Sequence, residues 1–225
     1  MVNKTPPEIN GTLRKFMLKV PEEISKASGI RIMGKLIKSL VFTTDICIIR
    51  NVNADAVIAV YPFTPQPVIT QAVMTAADIP VFCGVGGGLT QGKRVVNLSM
   101  HAEFQGAMGV VLNAPTANKV LTLVKNTIDI PVVITVVSEN EDFSKRIVSG
   151  ADIFNVSAAS NTARLVEKIR KQFPDVPIIA TGGPNSQTII DTINAGANAI
   201  TWTPPTNGEV FKSIMAAYRD GLPHP

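Results

Sequence analysis

Histidine and cysteine, which carry much of metal and nucleophilic chemistry, are almost missing: the 225-residue chain has two of each. Cys47 and Cys83 show no metal spacing and no disulfide framework. A buried apolar thiol is the expected state of Cys83. His101 falls in a helical stretch beside Glu103 and His224 in the tail. This argues against a histidine-based centre, and no metal is predicted. Aromatics make up only 5%, so the core must be aliphatic. Charged residues are 17%, against an average of roughly 25%. With 45% hydrophobic residues, that excludes a disordered chain and implies many positions buried on both sides. No apolar run approaches the roughly 18 residues of a membrane span, so no membrane partner is expected. The opening MVNKTPPEIN lacks the apolar stretch of a secretory signal, and a cytoplasmic location is expected. The basic excess is only +4, which leans toward small anionic ligands. Without a Lys/Arg run of five or a recognition motif, nucleic acid is not an expected partner. There is no P-loop and no Gly-x-Ser-x-Gly elbow.

One pattern repeats from residue 39 onward. A short run of β-branched and aliphatic residues is followed by a turn signal and a helical stretch. The strand-like runs are 39–44, 55–62, 80–85, 107–113, 131–138, 151–156, 177–181 and 199–203. They are apolar at successive positions, as parallel strands covered on both faces must be. Their starts lie 16 to 27 residues apart, room for a strand and a crossover helix. Helices are predicted over 66–77, 92–106, 117–126, 141–149, 162–173, 186–195 and 207–220, with a very short first one within 45–51. Eight such units with no change of composition predict a single α/β TIM (β/α)8 barrel of the phosphate-binding type over 39–225. A doubly wound sheet is the competing architecture. Residues 1–38 are read as an N-terminal helical and hairpin extension packed on the barrel. Pro21 opens a helix, and the runs 30–33 and 35–39 flank Gly34 as a hairpin that caps the barrel's bottom.

Barrel active sites lie at the C-terminal ends of the strands. Asp55, Asp129, Asp152 and Asp175 sit at strand starts and are read as structural. The strand-end residues are candidates. Thr181-Gly182-Gly183-Pro184 closes the seventh strand; Thr203, Thr206 and Asn207 follow the eighth, before a helix. Glycine lets amides approach phosphate oxygens, and a helix start offers free N–H groups. Thr181, Gly182, Gly183, Thr203, Thr206 and Asn207 are therefore the expected phosphate cradle; two tight turns with a plain helix cap are the alternative. The run Gly84-Val85-Gly86-Gly87-Gly88 closes the third strand, with Lys93 and Arg94 just beyond. Gly86 and Gly87 are read as part of a loop that closes over an anionic substrate, with Lys93 or Arg94 contacting it. Asp45 and Glu139, closing strands one and five, are the acid/base candidates; helix capping and a solvated loop are the alternatives. Tyr61 is a further possible acid. Asn113 and Asn155 are polar insertions at strand ends and are expected to bind ligand.

The segment from about 106 to 202 carries GAMGVVLNAP, PVVIT, GADIFNVSAA and FPDVPIIATGGP. It resembles the layout of the 2-keto-3-deoxy-6-phosphogluconate aldolases and related phosphate-binding barrels. The resemblance implies that Gly182 and Gly183 meet a substrate phosphate. It departs at the sixth strand: Asn155 stands where those enzymes carry the Schiff-base lysine, and none of the thirteen lysines lies at a strand end. The whole chain, with FTTD at 42–45, AVYPFTP at 59–65 and TPPTNGE at 203–209, looks more like a group of uncharacterised bacterial barrels often labelled hydrolases. The expected function is an enzyme acting on a small phosphorylated metabolite by lyase or isomerase chemistry, not a Schiff-base aldolase. A hydrolase, a flavin mononucleotide (FMN) barrel and a non-catalytic metabolite-binding barrel are the alternatives. A homo-oligomer is compatible with all of them.

Overall fold

In a computed structural model, residues 7, 9, 11, 12 and 16–224 are described. The eight predicted strands form one closed parallel barrel. They are β3 (Ser39–Phe42), β4 (Ala56–Ala59), β5 (Val81–Gly86), β6 (Gly109–Leu112), β7 (Val132–Val136), β8 (Ile153–Val156), β9 (Ile178–Thr181) and β10 (Ala199–Trp202). They pair in chain order, and β10 closes back onto β3. The helices are α1 (Ile46–Ile49), α2 (Pro67–Ala76), α3 (Lys93–Phe104), α4 (Asn118–Lys125), α5 (Phe143–Val148), α6 (Thr162–Gln172), α7 (Ser186–Asn194) and α8 (Asn207–Arg219). This is a TIM (β/α)8 barrel.

Successive strand residues point to opposite faces, and that alternation sorts the core into two layers. The outward positions pack against the helices: Val57, Val110, Ile134, Phe154 and Ile200 join Val95, Leu121, Val166 and Ile189. The inward positions form a separate cluster of Leu40, Ile58, Phe82, Val111, Val133, Ile153 and Ile179. Burial on both faces is why the strands read as unbroken apolar runs. Cys83 lies in the outer layer at 2% exposure, and burial pushes its thiol pKa up to about 12. It is an inert filler.

The predicted hairpin is present as β1 (Ile30–Ile32) and β2 (Lys35–Ile37), antiparallel. Met33 and Gly34 make the two-residue turn, both at positive φ, as the tight hairpin turn requires. Ile30, Ile32 and Ile37 join the inner cluster, so the hairpin plugs the bottom of the lumen. Pro21 precedes a 3-10 helix at Glu22–Lys26, whose Ile24 enters the outer layer at 1% exposure. Two of the four bottom aspartates, Asp55 and Asp152, are structural. Asp55 Oδ2 accepts from the Ser39 amide and hydroxyl, each at 2.9 Å. Asp152 pairs with Lys125 at 2.8 Å and accepts from the Val132 amide at 2.8 Å. Among the described residues no helix is long and apolar enough to cross a membrane.

Candidate functional site at the barrel mouth

The C-terminal ends of the strands carry two polar features that face each other across the lumen. The first is a cavity of about 130 Å³ above β4, β5 and β6, lined by Val60, Tyr61, Gly84, Gly86, Thr90 and Asn113 among others. The strand register shifts between Gly84 and Gly86 where β5 meets β6, a bulge that turns the chain into the glycine loop. The loop is held by its own backbone. Gly87 N donates to Thr90 O at 2.8 Å, and Asn113 N donates to Gly86 O at 2.9 Å. The Gly87 N–H is thus spent on the fold, not on an anion. The Asn113 side chain is left without a protein partner at the cavity wall. Gln66 N donates to the Tyr61 hydroxyl at 2.9 Å, which leaves the phenolic proton to point elsewhere. Tyr61 is the ionisable side chain lining this cavity.

Lys93 and Arg94 open α3 just beyond this loop. Both are exposed and neither forms an ion pair. Gly92 supplies no side-chain cap, so the helix N-terminus is also open. Two cations and free first-turn amides therefore sit together on the top face, an arrangement suited to an anion.

The second feature is a tier of polar residues inside the barrel. Thr135, Asn155, Thr181 and Thr201 each stand two residues beyond an inner-cluster position: Val133, Ile153, Ile179 and Ala199. Register aligns Thr135 with Asn155 and Thr181 with Thr201. Asn155 Nδ2 donates to Thr135 Oγ1 at 3.3 Å, and Thr181 Oγ1 donates to Ser157 Oγ at 3.2 Å. Asn155 Oδ1 and Thr201 Oγ1 are buried with no partner. No lysine, histidine or carboxylate stands in the tier, so the Schiff-base position of the aldolase likeness is an amide within a neutral wall.

The acid/base candidates do not converge on either feature. Asp45 caps α1: its Oδ1 accepts from Cys47 N at 2.8 Å and Ile48 N at 3.3 Å. Glu139 sits on the outer rim, paired with Arg164 at 3.2 Å and Lys168 at 3.6 Å. The expected cradle after β9 and β10 is adjacent, as pairing of Thr181 with Thr201 requires, but much of it is already used. Gly182 N donates to Thr201 O at 3.2 Å. Thr206 caps α8 in a capping box whose other member is Glu209: Thr206 N and Oγ1 donate to Glu209 Oε2 at 2.7 and 2.8 Å. Asn185 and Thr188 close the start of α7 in the same way. Gly183, Asn207 and Gly208 keep free amides, and Thr203 is exposed without a partner. An anion there would lie beside the Glu209 carboxylate. The Glu209 cap was legible in the sequence as Thr-x-x-Glu. The orphaned Thr201 had no local signal.

No protein-family model matches the chain, and no curated protein sequence matches it. Solved structures do match its fold. A provisionally assigned phosphonomutase from Burkholderia cenocepacia J2315 superposes with a TM-score of 0.63 at 14% identity, over 85% of this chain and 94% of that one. A 2,3-dimethylmalate lyase, a member of the PEP mutase/isocitrate lyase superfamily, gives 0.63 at 10%, over 88% and 80%. A phosphonopyruvate hydrolase in complex with oxalate and Mg²⁺ gives 0.59 at 11%, over 82% and 83%. At these identities the likeness establishes the barrel fold. The tier offers amide and hydroxyl groups, and among the described residues no group of three His, Cys, Asp or Glu could hold a metal ion.

Proposed function

We propose that the protein is an enzyme of lyase or isomerase type that takes a small organic or phosphorylated acid at the barrel mouth. The observation that carries this reading is the unpaired Lys93–Arg94 pair on the open end of α3, three and four residues after Thr90 of a cavity wall that also holds the unpartnered Asn113 side chain and the Tyr61 hydroxyl. The cations attract and anchor the anionic end. Asn113 and Thr90 orient the ligand, and Tyr61 donates a proton or hydrogen bond to the oxyanion that develops next to the carboxylate. A cavity of about 130 Å³ favours a ligand of a few carbon atoms over a flavin. The neighbours named as lyase, mutase and hydrolase support chemistry on small acids. A second reading, a metabolite-binding barrel without turnover, is favoured by the neutral tier, which holds no base.

The test is a thermal-shift and calorimetric screen with pyruvate, lactate, oxalate, phosphonoacetate and phosphate. A ligand at a hundred times its Kd is expected to stabilise the fold by about 2.7 kcal/mol. Lys93→Ala/Arg94→Ala should lose that gain. Tyr61→Phe should keep binding but slow deuterium uptake from D2O into the methyl group of pyruvate, where solvent removes the proton and Tyr61 stabilises the enolate oxygen on the neighbouring carbon. An unchanged affinity in the double variant would sink the site. Binding without deuterium uptake in the native protein would favour the non-catalytic reading.

A further inference from the structure

Asn155 Oδ1 and Thr201 Oγ1 are the two buried side-chain polar atoms left without a partner among the described residues. They belong to one tier of one lumen. Two other buried hydroxyls are satisfied by the chain's own backbone. Ser99 donates to Val95 O at 2.8 Å and Thr192 to Thr188 O at 2.8 Å. Both sit in helices, where the carbonyl one turn back is within reach. In a barrel strand the neighbouring carbonyls are consumed by the ladder, so an inward hydroxyl is met only by a polar side chain of another strand or by an occupant of the lumen. Thr201 is 7% exposed, at the centre of β10, and aims into that lumen. A valine of the same shape would leave nothing unpaired there. The threonine on β10 and the unsatisfied Asn155 carbonyl on β8, with β9 between them, mark a place where something else completes the bonds.

The chemistry of the wall specifies what that is. Asn155 Oδ1 only accepts, so the occupant must donate. The tier has no charge of either sign, so a carboxylate, phosphate or ammonium buried against it would lack a counter-charge. A hydroxyl satisfies both conditions: it donates to Asn155 Oδ1 and accepts from, or donates to, Thr201 Oγ1. We infer that the Asn155–Thr201 wall binds a neutral hydroxyl of the ligand, making the preferred ligand an acid whose hydroxyl stands several carbons from its carboxylate, and not an oxo or plain acid. The inference rests on the reading of the mouth as an acid site: the anionic end stays at Lys93 and Arg94, and the hydroxyl reaches into the lumen.

The experiment compares 4-hydroxybutyrate, 4-oxobutyrate and butyrate, which share a carboxylate and chain length, by calorimetry on the full chain and on Thr201→Val. 4-Hydroxybutyrate is expected to bind the native protein at least tenfold more tightly than the other two. Thr201→Val should erase that preference while raising the Tm of the free protein, because it removes an unpaired buried hydroxyl. Thr201→Ser, which keeps the hydroxyl, should retain the preference, and Asn155→Ala gives a second route to its loss. Equal binding of the three acids overturns this inference and leaves the acid site standing. A Thr201→Val protein with unchanged preference overturns it too. Should no acid bind, the acid-site reading falls, and erythritol tests the wall alone. Erythritol binding that Thr201→Val abolishes supports the hydroxyl wall; no binding of erythritol overturns it.

Discussion

The Thr116 hydroxyl lies 2.0 Å from the point where a Cβ on Gly87 would stand, and the Asn113 amide nitrogen lies 2.9 Å from it. The glycine loop after β5 and the turn after β6 are pressed together with no room for a side chain. This contact holds Asn113 at the cavity wall. Gly87, which the sequence suggested as part of a loop closing over an anionic substrate, is what lets the two loops meet.

Gly87 also carries a φ of +105°, which an L side chain rarely adopts. Gly87→Ala should therefore destabilise the fold by at least about 2 kcal/mol, from backbone strain and the clash combined. Acid binding should weaken as Asn113 moves. Urea unfolding with an unchanged midpoint would show that the loop yields freely.

Asp45 is expected to act on stability alone. Asp45→Ala removes the cap that meets Cys47 N and Ile48 N, and should cost about 1 kcal/mol. Asp45→Asn should recover most of it, since an amide oxygen caps as well. Affinity for small acids should be unchanged in both. If Asp45→Asn kept its stability but lost turnover, a catalytic role for the carboxylate would return.

The start of α8 should respond to acid. Hydrogen bonds from the Thr206 backbone N–H and hydroxyl hold the Glu209 carboxyl below its ordinary pKa. Its folded value lies below its unfolded one, so its contribution is present above the ordinary carboxylate range and fades as pH falls through the depressed value. Amides of the first turn of α8 should exchange faster on acidification through that window. In Glu209→Gln, which cannot titrate, the acid-dependent part should vanish. An identical pH response in both proteins would show that the cap does not depend on the charge.

How far the sequence reads differs between fold and site. The barrel follows from eight apolar runs with crossover-length spacing, because burial on both faces leaves no polar alternation to confuse the period. The hairpin at 30–37 was visible from Gly34. The fate of Asp45 and Glu209 was half visible, since a capping carboxylate and a catalytic one look alike until their neighbours are known. Glu139 looked like a mouth residue because it follows a strand; only the α6 helix, bringing Arg164 and Lys168 against it, assigns it to the rim.

The periodicity by itself determined the strand count, the crossover helices and the side of the barrel on which polar strand ends gather, because these depend on local pattern and on chain connectivity. Barrel closure decided the rest. Gly109 leaves space for Phe82, whose ring a Cβ would meet at 2.8 Å, and Thr201 on β10 and the Asn155 carbonyl on β8 are both left without a partner. Such relations join strands far apart in the chain, and a hydrogen bond or a clash exists only once the lumen has a fixed width.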